Sequence, residues 1–152
     1  MVICLFGYLF LFIQITNNQI HRIKLQTMYV FSFEKLEVWI ESKEFSKLIY
    51  SITATFPDTE KFGLISQLRR ASLSIASNIA EGSARKSYKD KAHFTTIAFG
   101  SAVEVLNQLT ISFELDFISE VDYLSLRNAL ESITNKLNAL RNYQIDKSNA
   151  IK

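Results

Sequence analysis

Apolar residues recur every three or four positions along most of the chain after residue 30, which is the spacing of amphipathic α-helices. The first helix is predicted over Phe33–Thr55, with Ser32 as its N-cap and Pro57 ending it. A side chain buried on one stripe of a helix must face a neighbouring element. The predicted stripe consists of Val38, Ser42, Phe45, Ile49, Ile52 and Phe56.

The second helix is predicted over Glu60–Glu81 and has small residues beside its core stripe, which allow a neighbouring helix to approach closely. Gly82 follows it, and glycine is the residue that most readily adopts the positive φ of a helix C-cap. We therefore expect Gly82 to end this helix. Its core stripe is predicted to be Lys61, Ile65, Leu68, Ser72, Ile75 and Ile79.

Two further helices begin with capping-box patterns, Ser87 with Asp90 and Ser119 with Asp122. The third helix is predicted over Tyr88–Leu115, with a core stripe of Phe94, Ala98, Ser101, Val105 and Leu109. The fourth has a heptad pattern formed by Tyr123, Leu126, Leu130, Ile133, Leu137 and Leu140.

Four amphipathic helices with short connections, and no alternating strand pattern, predict an all-α fold. The expected architecture is an up-down-up-down antiparallel four-helix bundle over residues 28–147. Residues 148–152 are predicted to fray.

A second apolar row on the third helix lies about 140° from its core stripe, and the first helix carries a comparable outer row. Two such rows in water would form a larger apolar patch than most soluble monomers expose. We therefore expect contacts between identical subunits. The predicted interface residues are Leu36, Trp39, Tyr50, Ala92, Phe99, Val103 and Leu106.

Residues 1–27 differ in composition from the rest and contain a 12-residue apolar run from Val2 to Ile13. This run is too short for an ordinary membrane-spanning helix and lacks the basic start and cleavage site of a signal peptide. Three interpretations remain: an upstream extension with Met28 as the true start, an uncleaved membrane-associating tail, or a segment that docks on the bundle. Membrane association is expected only if this leader is real.

The 152 residues suffice for one hydrophobic core, and a single Cys4 excludes a disulfide framework and a cysteine-based zinc site. His93 is the one imidazole after residue 27, and no Glu-x-x-His spacing supplies a di-metal site. We expect no enzyme activity, no metal or cofactor, and no small-molecule substrate.

Glu104, at the flank of the third helix, is expected to pair with Arg69. From Met28 onward the basic and acidic residues balance, but residues 69–91 hold six cations against Glu81 and Asp90. Such a cluster could contact nucleic-acid phosphates, with Tyr88 available for stacking, or could be a solvated helix end. The candidate nucleic-acid-binding residues are Arg69, Arg70, Arg85, Lys86, Lys89 and Lys91.

Several motifs between Phe31 and Tyr143 resemble one bacterial family: FEKLEVW, FGL, SQLRR, NIAEG and GSAVE. This is the family of four-helix-bundle proteins encoded by intervening sequences within 23S ribosomal RNA genes, whose relatives include the accessory variability protein of diversity-generating retroelements. The resemblance implies a cytoplasmic homopentamer with an RNA or ribonucleoprotein partner. The alternative is a protein-binding scaffold that does not contact nucleic acid.

Overall fold

Within residues 29–150, which the computed structural model describes, the chain forms four α-helices and no strand. They are α1 (Glu37–Ile52), α2 (Leu64–Ser83), α3 (Tyr88–Glu114) and α4 (Glu120–Ala150). Short 3-10 helices span Ser32–Lys35, Thr53–Thr55 and Asp58–Glu60. The predicted leader, residues 1–27, lies outside the described residues.

The four helices enclose one core in which each helix packs on its chain neighbours and α4 also packs on α1. Contacts between α2 and α3 join Arg70 to Glu104 near one end and Gly82 to Phe94 near the other. Residue numbers thus rise along α2 as they fall along α3, so these two helices are antiparallel. The all-α four-helix fold is confirmed.

The core contains most of the predicted stripe positions, because side chains spaced three and four apart share one side of a helix. Phe45, Ile49 and Leu68 are almost completely buried, as are Val105 and Leu137. Lys61 is an exception, since it is exposed and precedes the first turn of α2. Its place in the predicted stripe was wrong because α2 begins at Leu64, later than the predicted Glu60.

The predicted start of the first helix was also wrong. A 3-10 helix occupies Ser32–Lys35, and Leu36 then adopts an extended backbone with φ −78° and ψ 119° before α1 begins at Glu37. Both capping boxes are confirmed. The Ser87 hydroxyl accepts from the backbone N–H of Asp90 at 3.0 Å, and the corresponding pair at the start of α4, Ser119 and Asp122, is separated by 3.1 Å.

Gly82 does not cap α2, contrary to prediction. The helix continues to Ser83, Gly82 is buried within its last turn, and no glycine among the described residues has a positive φ. Among the described residues, the positive φ belongs to Asp116, at 58°, which lies in the connection between α3 and α4. Gly82 is required for close packing on Phe94 and not for backbone conformation.

The two predicted outer rows lie mostly within the bundle. Ala92 is buried, and the other members that contact the core are Leu36, Trp39, Phe99 and Leu106. Tyr50 and Val103 are the members with large exposed fractions, 43% and 50%. The expectation of two wholly exposed rows was wrong because α3 packs on both α2 and α4, so a wide sector of its surface is covered.

The fourth helix is longer than predicted and continues through residues 148–150, which were expected to fray. Gln144 is buried and lies one turn beyond the last heptad position. Its Oε1 accepts a hydrogen bond of 2.8 Å from the hydroxyl of Thr95 in α3. This contact holds the late part of α4 against α3. None of the helices within residues 29–150 is both long and apolar enough to cross a membrane.

Candidate functional site

The six candidate cations divide into two groups along the bundle. Arg69 and Arg70 lie in the first half of α2. The second group comprises Arg85 and Lys86, which follow the end of α2, and Lys89 and Lys91, which lie in the first turn of α3. At 1.5 Å per residue, the 15 positions from Arg70 to Arg85 correspond to about 20 Å. A single local site therefore contains the second group and not the first.

Arg69 connects two helices of the bundle. Its Nε donates to the hydroxyl of Thr53 at 2.8 Å, and its guanidinium lies 4.7 Å from the ring centroid of Tyr50. Its Nη2 also lies 3.5 Å from the carbonyl oxygen of Tyr50, so the side chain is directed at the end of α1 and stabilises the packing of α2 on α1. Arg69 is thus a structural residue.

Arg70 makes the contact that was predicted for Arg69. Its Nη2 lies 3.6 Å from Oε1 of Glu104 and donates to Gln67 at 2.7 Å. The same Glu104 oxygen accepts from the amide of Gln108 at 3.1 Å. The Arg69–Glu104 pairing was wrong, because Arg69 points towards α1 and its neighbour towards α3.

The cations at the connection between α2 and α3 are more accessible. Lys86 and Lys89 are exposed and form no ion pair with any residue in the described part of the chain. Arg85 pairs with Glu81 and stacks over the ring of Phe94, 4.3 Å from its centroid. Two unpaired ammonium groups therefore stand beside an arginine that is held in place.

The late part of α4 adds Tyr143 and Lys147 to this end of the bundle. The rings of Tyr88 and Tyr143 meet edge to face with centroids 6.3 Å apart. Lys91 lies 5.4 Å from the Tyr88 centroid, and Lys147 lies 5.7 Å from that of Tyr143. Sequence reasoning missed Tyr143 and Lys147. Antiparallel pairing of α3 with α4 could have placed them near Tyr88.

Among these residues lies a half-open cavity of about 200 Å³ between the ends of the helices. We call this cavity, together with the cations at the same end of the bundle, the basic end. These cations are Arg85, Lys86, Lys89, Lys91 and Lys147. No carboxylate is among the side chains that line the cavity within the described part of the chain, and Lys91 is the one charged group there. The cavity is lined by Ser32, Leu36, Ser83, Tyr88, Lys91, Leu140, Tyr143 and Gln144.

Groups suited to metal binding do not converge in the described part of the fold. Across residues 29–150, no three His, Cys, Asp or Glu side chains are grouped to hold a metal ion. His93 is exposed, with its ring 5.9 Å from that of Phe94. What the basic end offers chemically is positive charge, aromatic surface and hydrogen-bonding groups.

Comparison with known proteins identifies the family. The 23S rRNA-intervening sequence protein family matches residues 34–139, well over half of the chain. A crystal structure of a protein of unknown function from the S23 ribosomal protein family of Bacteroides thetaiotaomicron is similar, with a TM-score of 0.64 and 25% sequence identity. The similarity covers 68% of this chain and 97% of the other. No curated protein matches. The four-helix fold and the family match together show that the chain belongs to the 23S rRNA-intervening sequence protein family.

Proposed function

We propose that the protein is a non-enzymatic, cytoplasmic, oligomeric bundle that binds RNA, alone or within a ribonucleoprotein, through its basic end. The observation that carries this proposal is the pair of exposed lysines, Lys86 and Lys89, which have no acidic partner among residues 29–150. An unpaired surface cation can neutralise a phosphate and release its counterion, which favours nucleic-acid binding.

The neighbouring side chains support the same function. Tyr88 and Tyr143 present aromatic rings on which an unpaired base can stack, and stacking accepts any base. Arg85 adds a guanidinium whose position is fixed by Phe94 and Glu81. Membership of the 23S rRNA-intervening sequence protein family supports RNA, rather than another polyanion, as the proposed partner.

The test is a double charge reversal, Lys86→Glu with Lys89→Glu, measured by gel shift on RNA fragments across a salt series. Each lost phosphate contact should reduce the slope of log affinity against log salt by about one, so we expect a decrease of about two. Arg85 is left unchanged because its contacts with Phe94 and Glu81 also support the fold.

A matched control is Lys43→Glu with Lys47→Glu on α1, which makes the same charge change at lysines that contact Glu44. We expect this control to retain the parent salt slope, and both variants to retain a helical circular-dichroism spectrum. Equal losses in the two variants would show a general charge effect and contradict a local site. Absence of RNA binding by the parent protein would favour the protein-binding scaffold.

A further inference from the structure

We infer that the cavity of the basic end receives one unpaired nucleotide of the bound RNA, with its base inside and its phosphate at the rim. This inference rests on the proposed RNA-binding function and specifies its ligand. The cavity walls combine apolar, aromatic, amide and cationic side chains without a carboxylate among the described residues.

The walls match the parts of a nucleotide. Leu36 and Leu140 supply apolar surface, and Tyr88 and Tyr143 supply two rings set nearly perpendicular, at 83°. A base can stack on one ring while its edge meets the other. Lys91 lies beside Tyr88, 5.4 Å from the ring centroid, where its ammonium can reach a phosphate attached to the inserted nucleoside.

Gln144 provides a buried hydrogen-bonding group at this site. The side chain is only 7% exposed, and Oε1 lies 2.8 Å from the Thr95 hydroxyl. Its amide nitrogen Nε2 forms no hydrogen bond with any described residue and is not fully buried, and Gln144 lines the cavity. An accessible N–H donor at the cavity wall is suited to an acceptor on the polar edge of a base.

The dimensions select for a single nucleotide. A volume of about 200 Å³ is below the roughly 300 Å³ at which pockets for drug-sized ligands begin, so the cavity suits one ring system. Bases within an RNA duplex are stacked and cannot enter without being extruded, which costs a few kcal/mol. The cavity therefore favours single-stranded segments, loops or ends.

The experiment uses a short single-stranded RNA containing 2-aminopurine, a fluorescent adenine analogue, and the same strand annealed to its complement. Insertion between aromatic rings should quench the fluorescence of the single strand, and the parent protein should bind the single strand more tightly. Ser83→Phe fills the cavity without altering charge. Because one stacked base and its phosphate contact with Lys91 are lost, we expect about tenfold weaker single-strand binding, loss of quenching and a salt slope lower by about one.

Ser51→Phe is the matched control, since Ser51 lines a groove of about 240 Å³ between α1 and α4 and the substitution is identical. It should bind as the parent does. Gln144→Met keeps the side-chain length and removes the amide, and the Thr95 hydroxyl keeps its bond to the Lys91 carbonyl at 3.1 Å. We expect a small loss of stability with the helical fold and salt slope retained, and reduced discrimination among the four bases. This second variant keeps the test valid if Ser83→Phe unfolds.

The outcomes separate the two proposals. If the parent binds no RNA, the proposed function and the nucleotide site are both overturned. If the parent binds single strands and duplex equally, or if neither Ser83→Phe nor Gln144→Met changes binding, RNA binding stands and the nucleotide site is overturned. Weakening by Ser83→Phe with no effect of Ser51→Phe supports insertion into this cavity.

Discussion

At Gly82, a Cβ atom would stand 2.8 Å from the Cβ of Phe94, closer than real Cβ atoms approach. The missing methyl group thus sets the distance between the end of α2 and the start of α3. Arg85 stacks on the ring of the same phenylalanine, so this spacing also positions the first cation of the basic end. A residue with no chemistry of its own therefore shapes the proposed binding site.

We expect Gly82→Ala to lower the free energy of unfolding by about 1 to 3 kcal/mol, the usual cost of inserting a group into a packed contact. The control is Gly100→Ala in α3, where the new Cβ meets nothing within 4 Å. That change should raise stability by roughly 0.5 to 1 kcal/mol, because alanine restricts the unfolded chain and favours helix. Urea unfolding measures both. Shifts of the same sign would contradict the packing role of Gly82.

Truncation of a core side chain should be costly where burial is complete. Ile75 is 0% exposed and Leu130 is 2% exposed, and both belong to the central cluster. We expect Ile75→Ala and Leu130→Ala each to destabilise by roughly 2 to 5 kcal/mol, through lost burial and the remaining cavity. Denaturant melts check this, with Val121→Ala as a control because Val121 is 78% exposed. Little change at Ile75 and Leu130 would refute the core assignment.

At the scale of elements, sequence predicted best where the signal is local. The Ser87 and Ser119 capping boxes were located correctly because each is complete within four residues. Ser32 has the same residue type, but the next turn is a 3-10 helix, and the extended backbone at Leu36 separates it from α1. The C-terminal glycine rule failed at Gly82 because tertiary packing, which periodicity does not report, required the same residue.

Besides the Arg70–Glu104 pair between α2 and α3, an ion-paired contact joins α4 to α1. Lys136 of α4 donates to Glu37 of α1 at 2.6 Å and also to Glu41, which accepts from Ser132 at 3.2 Å. The hydrogen bonds to Glu37 and then to Glu41 raise the pKa of Lys136 above its ordinary value. A raised lysine pKa means that the folded state holds the proton more tightly than the unfolded state.

This stabilisation is fully present below the unfolded lysine pKa of about 10.4 and disappears as pH rises through the higher folded value. We therefore expect Lys136→Met to destabilise the protein modestly at neutral pH, with the difference from the parent shrinking above about pH 10.4. Urea unfolding across this range tests it. Lys89→Met is the control, since Lys89 is exposed without an ion pair to residues 29–150. A pH-independent difference would contradict the linkage.

At the scale of the whole molecule, only part of the candidate site was readable from the sequence. Lys86 and Lys89 were found because they lie close together in the chain. Arg69 was included for the same reason, although helix geometry turns it towards α1. Tyr143 and Lys147 were missed because they approach Tyr88 only through tertiary pairing of α3 with α4. Chain proximity reports charge density but not which side of a helix carries it.

Self-association is a property of the whole molecule. Most residues of the two predicted outer rows are buried or pack on the core, so few of them can form a subunit contact. Phe99 packs on the core, and the guanidinium of Arg141 lies over its ring, 5.6 Å from the ring centroid. A charged substitution at Phe99 would therefore disturb the fold itself. Val103 is half exposed and lines a shallow groove of about 230 Å³ between α3 and α4. Val103 and Tyr50 are the predicted interface residues that remain available to a second copy.

We expect the parent protein to be an oligomer, with five subunits as the resemblance implies, and Val103→Glu to reduce its mass, because a buried carboxylate at a subunit contact loses its hydration. Light scattering after size exclusion measures the mass directly. Val121→Glu is the matched control, since it places the same charge on an exposed valine outside both predicted rows.

If the assembly forms, the basic ends recur around it, and single-nucleotide contacts of modest strength would sum to tight binding of one RNA. A parent that is monomeric at tens of micromolar would remove this multivalency. RNA binding would then have to rest on one basic end alone, with a smaller salt slope.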